Sequence, residues 1–334
     1  MRNKCLTYAV ESLSLQLGPE LWRGRPVLDF GRLLNSTLRL GTASRSVRFS
    51  VAGRHLQALV PADSVFFSIK DILFNREYEF FPQFELTHPR QIVVDVGAHA
   101  GLYTIIASLS ASKVLALEPD NDIFRILSTN ITRNSLTNVN IIESALWTKD
   151  GFAKFHRRGN SQLGSVRTRR NSEPILVQAN SLPHLLSDAL QGVQGRKIDL
   201  LKLDIEGTEF DVIPSSDQET LGKIAKMVVE VHTEHGKIEA LTSKLKQCGF
   251  SYVIVKRPFR KAVNGEIRVL GNYKLRLLME TVNLAMGVSN YSDWSSLLLF
   301  ASRQTDDFPQ AELSSIKERV VETSLERPLK TKTK

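Results

Sequence analysis

From residue 91 onward, apolar and polar positions fall in the blocks that a strand–helix–strand chain requires. IVVDV (92–96) is an apolar, β-branched run, as a strand buried on both faces should be. A helix is predicted from about Leu102 to Ser110. VLALE (114–118) reads as a second strand, and Asp120 as the cap of a helix that carries Ile123, Phe124, Ile126 and Leu127. NVNIIES (138–144), IDLLKLD (198–204), MVVEVH (227–232), YVIVK (252–256) and SLLLFAS (296–302) follow, with helical patterns between most of them. This alternation predicts an α/β fold: a doubly wound, seven-stranded, mainly parallel sheet with helices on both faces.

Other patterns flank and interrupt it. Residues 1–88 read as a small N-terminal α+β extension. It has short helices over about 1–40, then a hairpin over 46–60, where Val47, Phe49 and Val51 alternate before a turn at Ala52-Gly53. A short helix over 64–81 carries Phe66, Phe67, Phe74, Tyr78, Phe80 and Phe81, read as core packing rather than a ligand site. The α/β domain is assigned to 89–303, with insertions at 145–197 and 257–295. Residues 304–334 read as a frayed helix or polar tail.

Composition narrows the class. Apolar residues make up 42% and charged residues 24%, a globular balance. The two cysteines, Cys5 and Cys248, form no zinc or disulfide pattern. No apolar run approaches the roughly 18 residues of a membrane span, and Met1–Leu17 lacks the apolar core of a signal peptide. A cytoplasmic protein is expected. The net charge of +9 admits nucleic acid, an anionic membrane face or an acidic substrate. The basic loop 157–171, with Arg157, Arg158, Arg167, Arg169 and Arg170, suits phosphates or carboxylates. No aromatic residue interleaves those arginines, which argues against base stacking.

The sharpest chemical signal is DVGAHAG, Asp95–Gly101, at the end of the first buried strand. In open α/β sheets ligands bind outside the carboxyl ends of strands. Gly97 and Gly101 permit a tight turn and a close approach. The dinucleotide pattern G-x-G-x-x-G requires a second glycine to admit a pyrophosphate, and His99 stands there instead. The spacing therefore suits a ligand without pyrophosphate, such as S-adenosylmethionine, and disfavours a nicotinamide dehydrogenase. Glu118, ending the second strand, is positioned to accept both ribose hydroxyls, with Pro119 and Asp120 following. In LLKLDIEGTEF (200–210), Asp204 and Glu206 end the fourth strand, and these carboxylates suit a donor amine or a general base. Glu230 and His232 end the fifth strand and suit deprotonation of a hydroxyl. One His-plus-acid pair is a thin metal signal, and no metal is assigned.

Together, DVGAHAGLYTIIA, ALEPD, LLKLDIEGTEF and VVEVH resemble the FkbM-type methyltransferase family in order and spacing, over about residues 64–257. The resemblance implies a class I methyltransferase fold and S-adenosylmethionine as donor. It also implies O-methylation of a sugar, glycan or small-metabolite hydroxyl. Matched position by position, Asp95, Gly97 and Gly101, with Ala98 and His99 in the same turn, would hold the methionyl part. Glu118, followed by Pro119, would hold the ribose, and Ser144 and Ala145 would lie near the adenine. Asp204 would border donor and reacting centre, with Glu206 beside it. His99 stands where family members often carry Asn. Direct in-line transfer is expected, with Glu206, Glu230 or His232 as the base. The rival readings are an RNA methyltransferase and a non-catalytic donor-binding protein.

Overall fold

The computed structural model describes residues 44–51, 53–62, 64, 68–74, 76–157, 161, 164–167, 174–193, 197–256, 296–315 and 320–325. The predicted helices of 1–40, Phe66 and Phe67, the insertion 257–295 and most of the basic loop lie outside them.

The hairpin forms first: β1 (Arg45–Val51) and β2 (Arg54–Val60) pair antiparallel, with Val51 opposite Arg54. A π-helical turn (Ile69–Phe74) and two 3-10 turns (Glu77–Glu79, Pro82–Phe84) lead into the α/β domain. There β3 (Arg90–Val96), α1 (Leu102–Ala107), β4 (Ala111–Leu117), α2 (Asn121–Arg133) and β5 (Val139–Ile142) follow in order. Asp120 caps α2 by accepting from the N–H groups of Asp122 and Ile123. The strands β6 (Ala145–Trp147), β7 (Gly151–His156) and β8 (Pro174–Ser181) build a separate three-stranded sheet, ordered β6-β8-β7. Then come α3 (Leu182–Leu190), β9 (Leu200–Leu203), α4 (Glu209–Ser215), α5 (Gln218–Gly222), β10 (Lys226–His232), α6 (Ile238–Gln247) and β11 (Ser251–Lys256). The chain closes with β12 (Ser296–Ser302), α7 (Gln310–Ser315) and β13 (Val320–Ser324).

The main sheet has eight strands, ordered β13-β11-β12-β10-β9-β3-β4-β5. All seven predicted strands lie in it, but the expected count of seven is corrected to eight. Residues 320–324, read as tail, pair antiparallel with β11. Their alternating half-exposed pattern is that of an edge strand, not of a buried run. The mainly parallel expectation holds for β10, β9, β3, β4 and β5, which pair parallel. The other end is antiparallel, because β12 inserts between β10 and β11. From β3 the chain winds outward through β4 and β5, then returns to the other flank at β9 and β10. The crevice between β3 and β9 is therefore the topological switch point, where such sheets bind ligands.

Side chains alternate between two cores. Val93, Val114, Leu200, Val228 and Phe300 face one, with the hairpin, Tyr78, Phe80, Phe81 and Phe84 packed over them. Ile92, Val94, Leu115, Leu201, Val229 and Leu299 face the other, under α3, α4 and α6. The aromatic segment is core, as expected: Phe81 meets Phe300 and Phe308 edge-on at 5.2 and 5.1 Å.

Candidate active site

Parallel pairing brings the carboxyl ends of β4, β3, β9 and β10 to one edge, and these strand ends and the loops leaving them carry most of the candidate residues. Gly97 and Gly101 both have left-handed backbone, with φ of 74° and 82°. A Cβ on Gly97 would lie 1.8 Å from the carbonyl oxygen of Asp204, so the first loop touches the β9 exit directly. His99 and Glu206 are also left-handed, at φ 52° and 51°, a strained choice for side-chain-bearing residues. One such residue stands in each of the two facing loops.

Asp95 sits beneath the turn with no exposed surface. It accepts from the Thr104 hydroxyl at 2.6 Å and pairs with Lys202 Nζ at 3.1 Å. These two are register partners on β3 and β9. Lys202 Nζ also donates to the Gly97 carbonyl at 2.9 Å and stands 3.7 Å from Asp204. Burial opposes its charge, but Asp95 and Asp204 outweigh that and raise its pKa. Lys202 thus locks the glycine turn to the β9 exit from below.

Glu118 is buried at the end of β4. One oxygen accepts from the His99 N–H and the other from the Asp120 N–H, both at 2.9 Å. Burial raises its pKa to about 7 against the pull of those two bonds. His99 Nε2 lies 3.0 Å from the Ser161 hydroxyl and 3.4 Å from that of Ser64. Ala98 is buried in the same turn, and Pro119 is half-buried beside Glu118. Ser144 and Ala145 are both buried just past β5, and the Ser144 hydroxyl bonds the Asn180 side chain.

The acids of the second cluster meet around an imidazole. His232 Nε2 lies 3.5 Å from Glu206 and 3.7 Å from Glu230. Glu209 accepts from the His232 N–H at 2.7 Å, lies 3.1 Å from Nδ1, and accepts from the Gly207 N–H at 2.9 Å. Burial opposes protonation of His232, yet the bonds with Glu206 and Glu209 win and raise its pKa well above the ordinary value. The Tyr78 hydroxyl donates to Glu230 at 2.6 Å and Asp204 at 3.0 Å, tying these two carboxylates together. Burial, and then the like charge of Glu230, raise the Asp204 pKa to about 7.

The candidates from the sequence form two groups at this edge, Asp95–Gly101 with Glu118 and Asp204 with Glu206, Glu230 and His232, while Ser144 and Ala145 stand apart, just past β5. Two partners escaped sequence reading. Tyr78 looked like one more core aromatic, and Glu209 like a helix-dipole residue. The basic loop reads differently in three dimensions. Arg157 clasps Asp120 at 2.7 Å, and Arg167 pairs with Asp211 at 2.7 Å. Both described arginines of that loop are thus turned onto this chain's own carboxylates. Among the described residues, no helix is long and apolar enough to cross a membrane.

Part of the chain is similar to known proteins. Residues 95–252 match the family described as the methyltransferase FkbM domain. Methyltransferase 1 of Beauveria bassiana is 28% identical over 185 residues, 50% of this chain and 74% of that protein. Methyltransferase sdnD of Sordaria araneosa is 26% identical over 190 residues, 47% of this chain and 73% of its own length. Among solved structures, the methyltransferase FkbM of Methylobacillus flagellatus superposes with a TM-score of 0.32 at 12% identity, covering 63% of this chain and 43% of that one. Residues 95–252 thus match the methyltransferase FkbM domain, the family that the motifs of this stretch resemble.

Proposed function

We propose that this methyltransferase binds S-adenosylmethionine at the β3–β4–β9 edge and methylates a hydroxyl of a sugar, glycan or small metabolite. The observation that carries the reading is Glu118. Backbone N–H groups fix both of its oxygens, beside a glycine turn at the topological switch point. Such a carboxylate has lone pairs left for two neighbouring hydroxyls, which is the chemistry a ribose offers. Gly97, Ala98, His99 and Gly101 would receive the methionyl part. Asp95 would act from below, through Lys202 and Thr104. Pro119, Ser144 and Ala145 would border the nucleoside.

When bound, the donor supplies an electrophilic methyl group on sulfur. The chain's own residues then align the acceptor and take its proton. Glu206, Glu230 and Asp204 line the far side of the crevice, and Glu206 stands on the loop that faces the glycine turn. Glu206 is the proposed proton acceptor. The acceptor oxygen forms a bond to the methyl carbon as the sulfur–carbon bond breaks, and the O–H proton passes to the carboxylate. His232, flanked by Glu206, Glu209 and Glu230, would hold those acids in place. Alignment contributes roughly 7–11 kcal/mol in well-held reactants, and a positioned base about 10²–10⁴-fold. The ion pairs of Arg157 and Arg167 favour a small acceptor over RNA, since they engage side chains that would otherwise meet phosphates.

The test is methyl transfer from radiolabelled donor into fractionated extract and a panel of hydroxylated sugars and metabolites. Transfer to a hydroxyl that Glu206→Gln slows about 100-fold, with donor affinity unchanged, is expected. Transfer to RNA alone, or full turnover in that variant, would overturn the assignment.

A further inference from the structure

Asp204, Glu206, Glu209 and Glu230 converge from the β9 exit, α4 and β10. Lys202 and His232 stand among them, and Lys202 is engaged by Asp95 as well.

The arrangement offers a set of ligand atoms to a cation. One ligand atom each from Asp204, Glu230 and His232 lies within 4.8 Å of the others. Glu209 on Nδ1 turns the His232 ring so that Nε2 points at the carboxylates, the orienting partner that metal-bound imidazoles characteristically have. Glu209 itself is fixed by the N–H groups of His232 and Gly207. Tyr78 holds Asp204 and Glu230 side by side. The 3.7 Å from Nε2 to Glu230 is somewhat wider than the separation of about 3.0 Å between adjacent ligands on an octahedral ion with bonds of about 2.1 Å.

We propose that Asp204, Glu230 and His232 form a binding site for a divalent cation of the magnesium or manganese type. This revises the metal-free expectation from sequence. The role of the ion rests on the proposed function: it would hold the acceptor hydroxyl oxygen at the crevice, leaving Glu206 to take the proton. Two carboxylates and one imidazole leave open positions for that oxygen and for water.

The test uses the full chain, stripped with chelator and titrated with Mn²⁺ by calorimetry and by the paramagnetic resonance of free Mn²⁺. One equivalent per chain is expected, with broadening of the His232 imidazole resonances. Glu230→Gln and His232→Gln should each weaken binding at least about tenfold. S-adenosylhomocysteine affinity, read on the same samples, reports both variant folding and the donor site. Should a variant fail to fold, the His232 resonances of the unaltered chain still locate the ion. Absence of saturable Mn²⁺ binding would overturn the proposal. So would binding that leaves His232 unbroadened, or Mn²⁺ displaced by S-adenosylhomocysteine, which would give the carboxylates to the donor's ammonium instead. Loss of S-adenosylhomocysteine binding alone would count against the donor reading and leave the cation site standing.

Discussion

At the scale of single residues, the account turns on Glu118 and the glycine turn beside it. Hydroxyl donors prefer the ionised carboxylate, and burial holds its pKa at about 7. Calorimetric affinity for S-adenosylhomocysteine should therefore weaken about fivefold from pH 7 to pH 6 and strengthen little above pH 8. A flat profile would remove Glu118 from the ribose role. Stability of the free chain runs the opposite way. A carboxyl raised from 4.5 to about 7 binds its proton more tightly in the folded state. Its contribution is full below about pH 4.5 and is lost as pH rises through about 7. Gly97→Ala would drive a methyl group into the Asp204 carbonyl and force a strained backbone. Thermal unfolding should show a loss of at least about 2 kcal/mol. These positions were legible in the sequence because the turn imposes glycine and the strand end imposes an acid. Tyr78 was not: its hydroxyl acts across 126 residues on Asp204, and its ring alone reads as core. Glu209 was hidden for a related reason. An acid in the first turn of a helix has a local explanation, and only the fold shows that it grips His232.

Among the elements, the hairpin shows how a flanking segment is fixed to the α/β domain. Asn130, on α2, and Asn134, which caps its carboxyl end, treat β2 as a neighbouring strand would. Asn130 accepts from the Leu59 N–H at 2.7 Å and donates to the Leu59 carbonyl at 2.7 Å. Asn134 does the same with Gln57, at 3.0 and 2.7 Å. Asn130 also donates to the Ala100 carbonyl at 2.8 Å, just before the helix that follows the glycine turn. Asn130→Ala would strand three buried backbone groups, and urea unfolding should record a loss of about 2–4 kcal/mol. An unchanged midpoint would show that the hairpin is anchored by its apolar face alone. The seven strands and the hairpin could be read from apolar runs and alternation. The asparagine ladder could not, since two polar residues on an amphipathic helix read as its solvent face.

The whole molecule is organised by one reversal of winding, which places four strand ends and their loops around a single crevice. Strand existence was readable, but the insertion of β12 between β10 and β11 was not, because residues 257–295 separate it from the strands it joins. The edge strand β13 escaped because half of its surface faces water, and an exposed alternation of Val, Glu and Thr resembles a tail. It covers the free edge of β11, and Tyr252 bonds Glu322 across that pairing. Ending the chain after Ser315 should lower the melting temperature by at least about 2 °C and promote self-association in light scattering. No change in either would make β13 dispensable. The central claim is that the crevice between β3, β4 and β9 receives the methyl donor. A crystal structure of the full chain soaked with S-adenosylhomocysteine tests it most directly. Both ribose hydroxyls should rest on Glu118, with the amino-acid end over Gly97–Gly101. A nucleoside found away from Glu118, or a crevice that stays empty at saturating ligand, would contradict it.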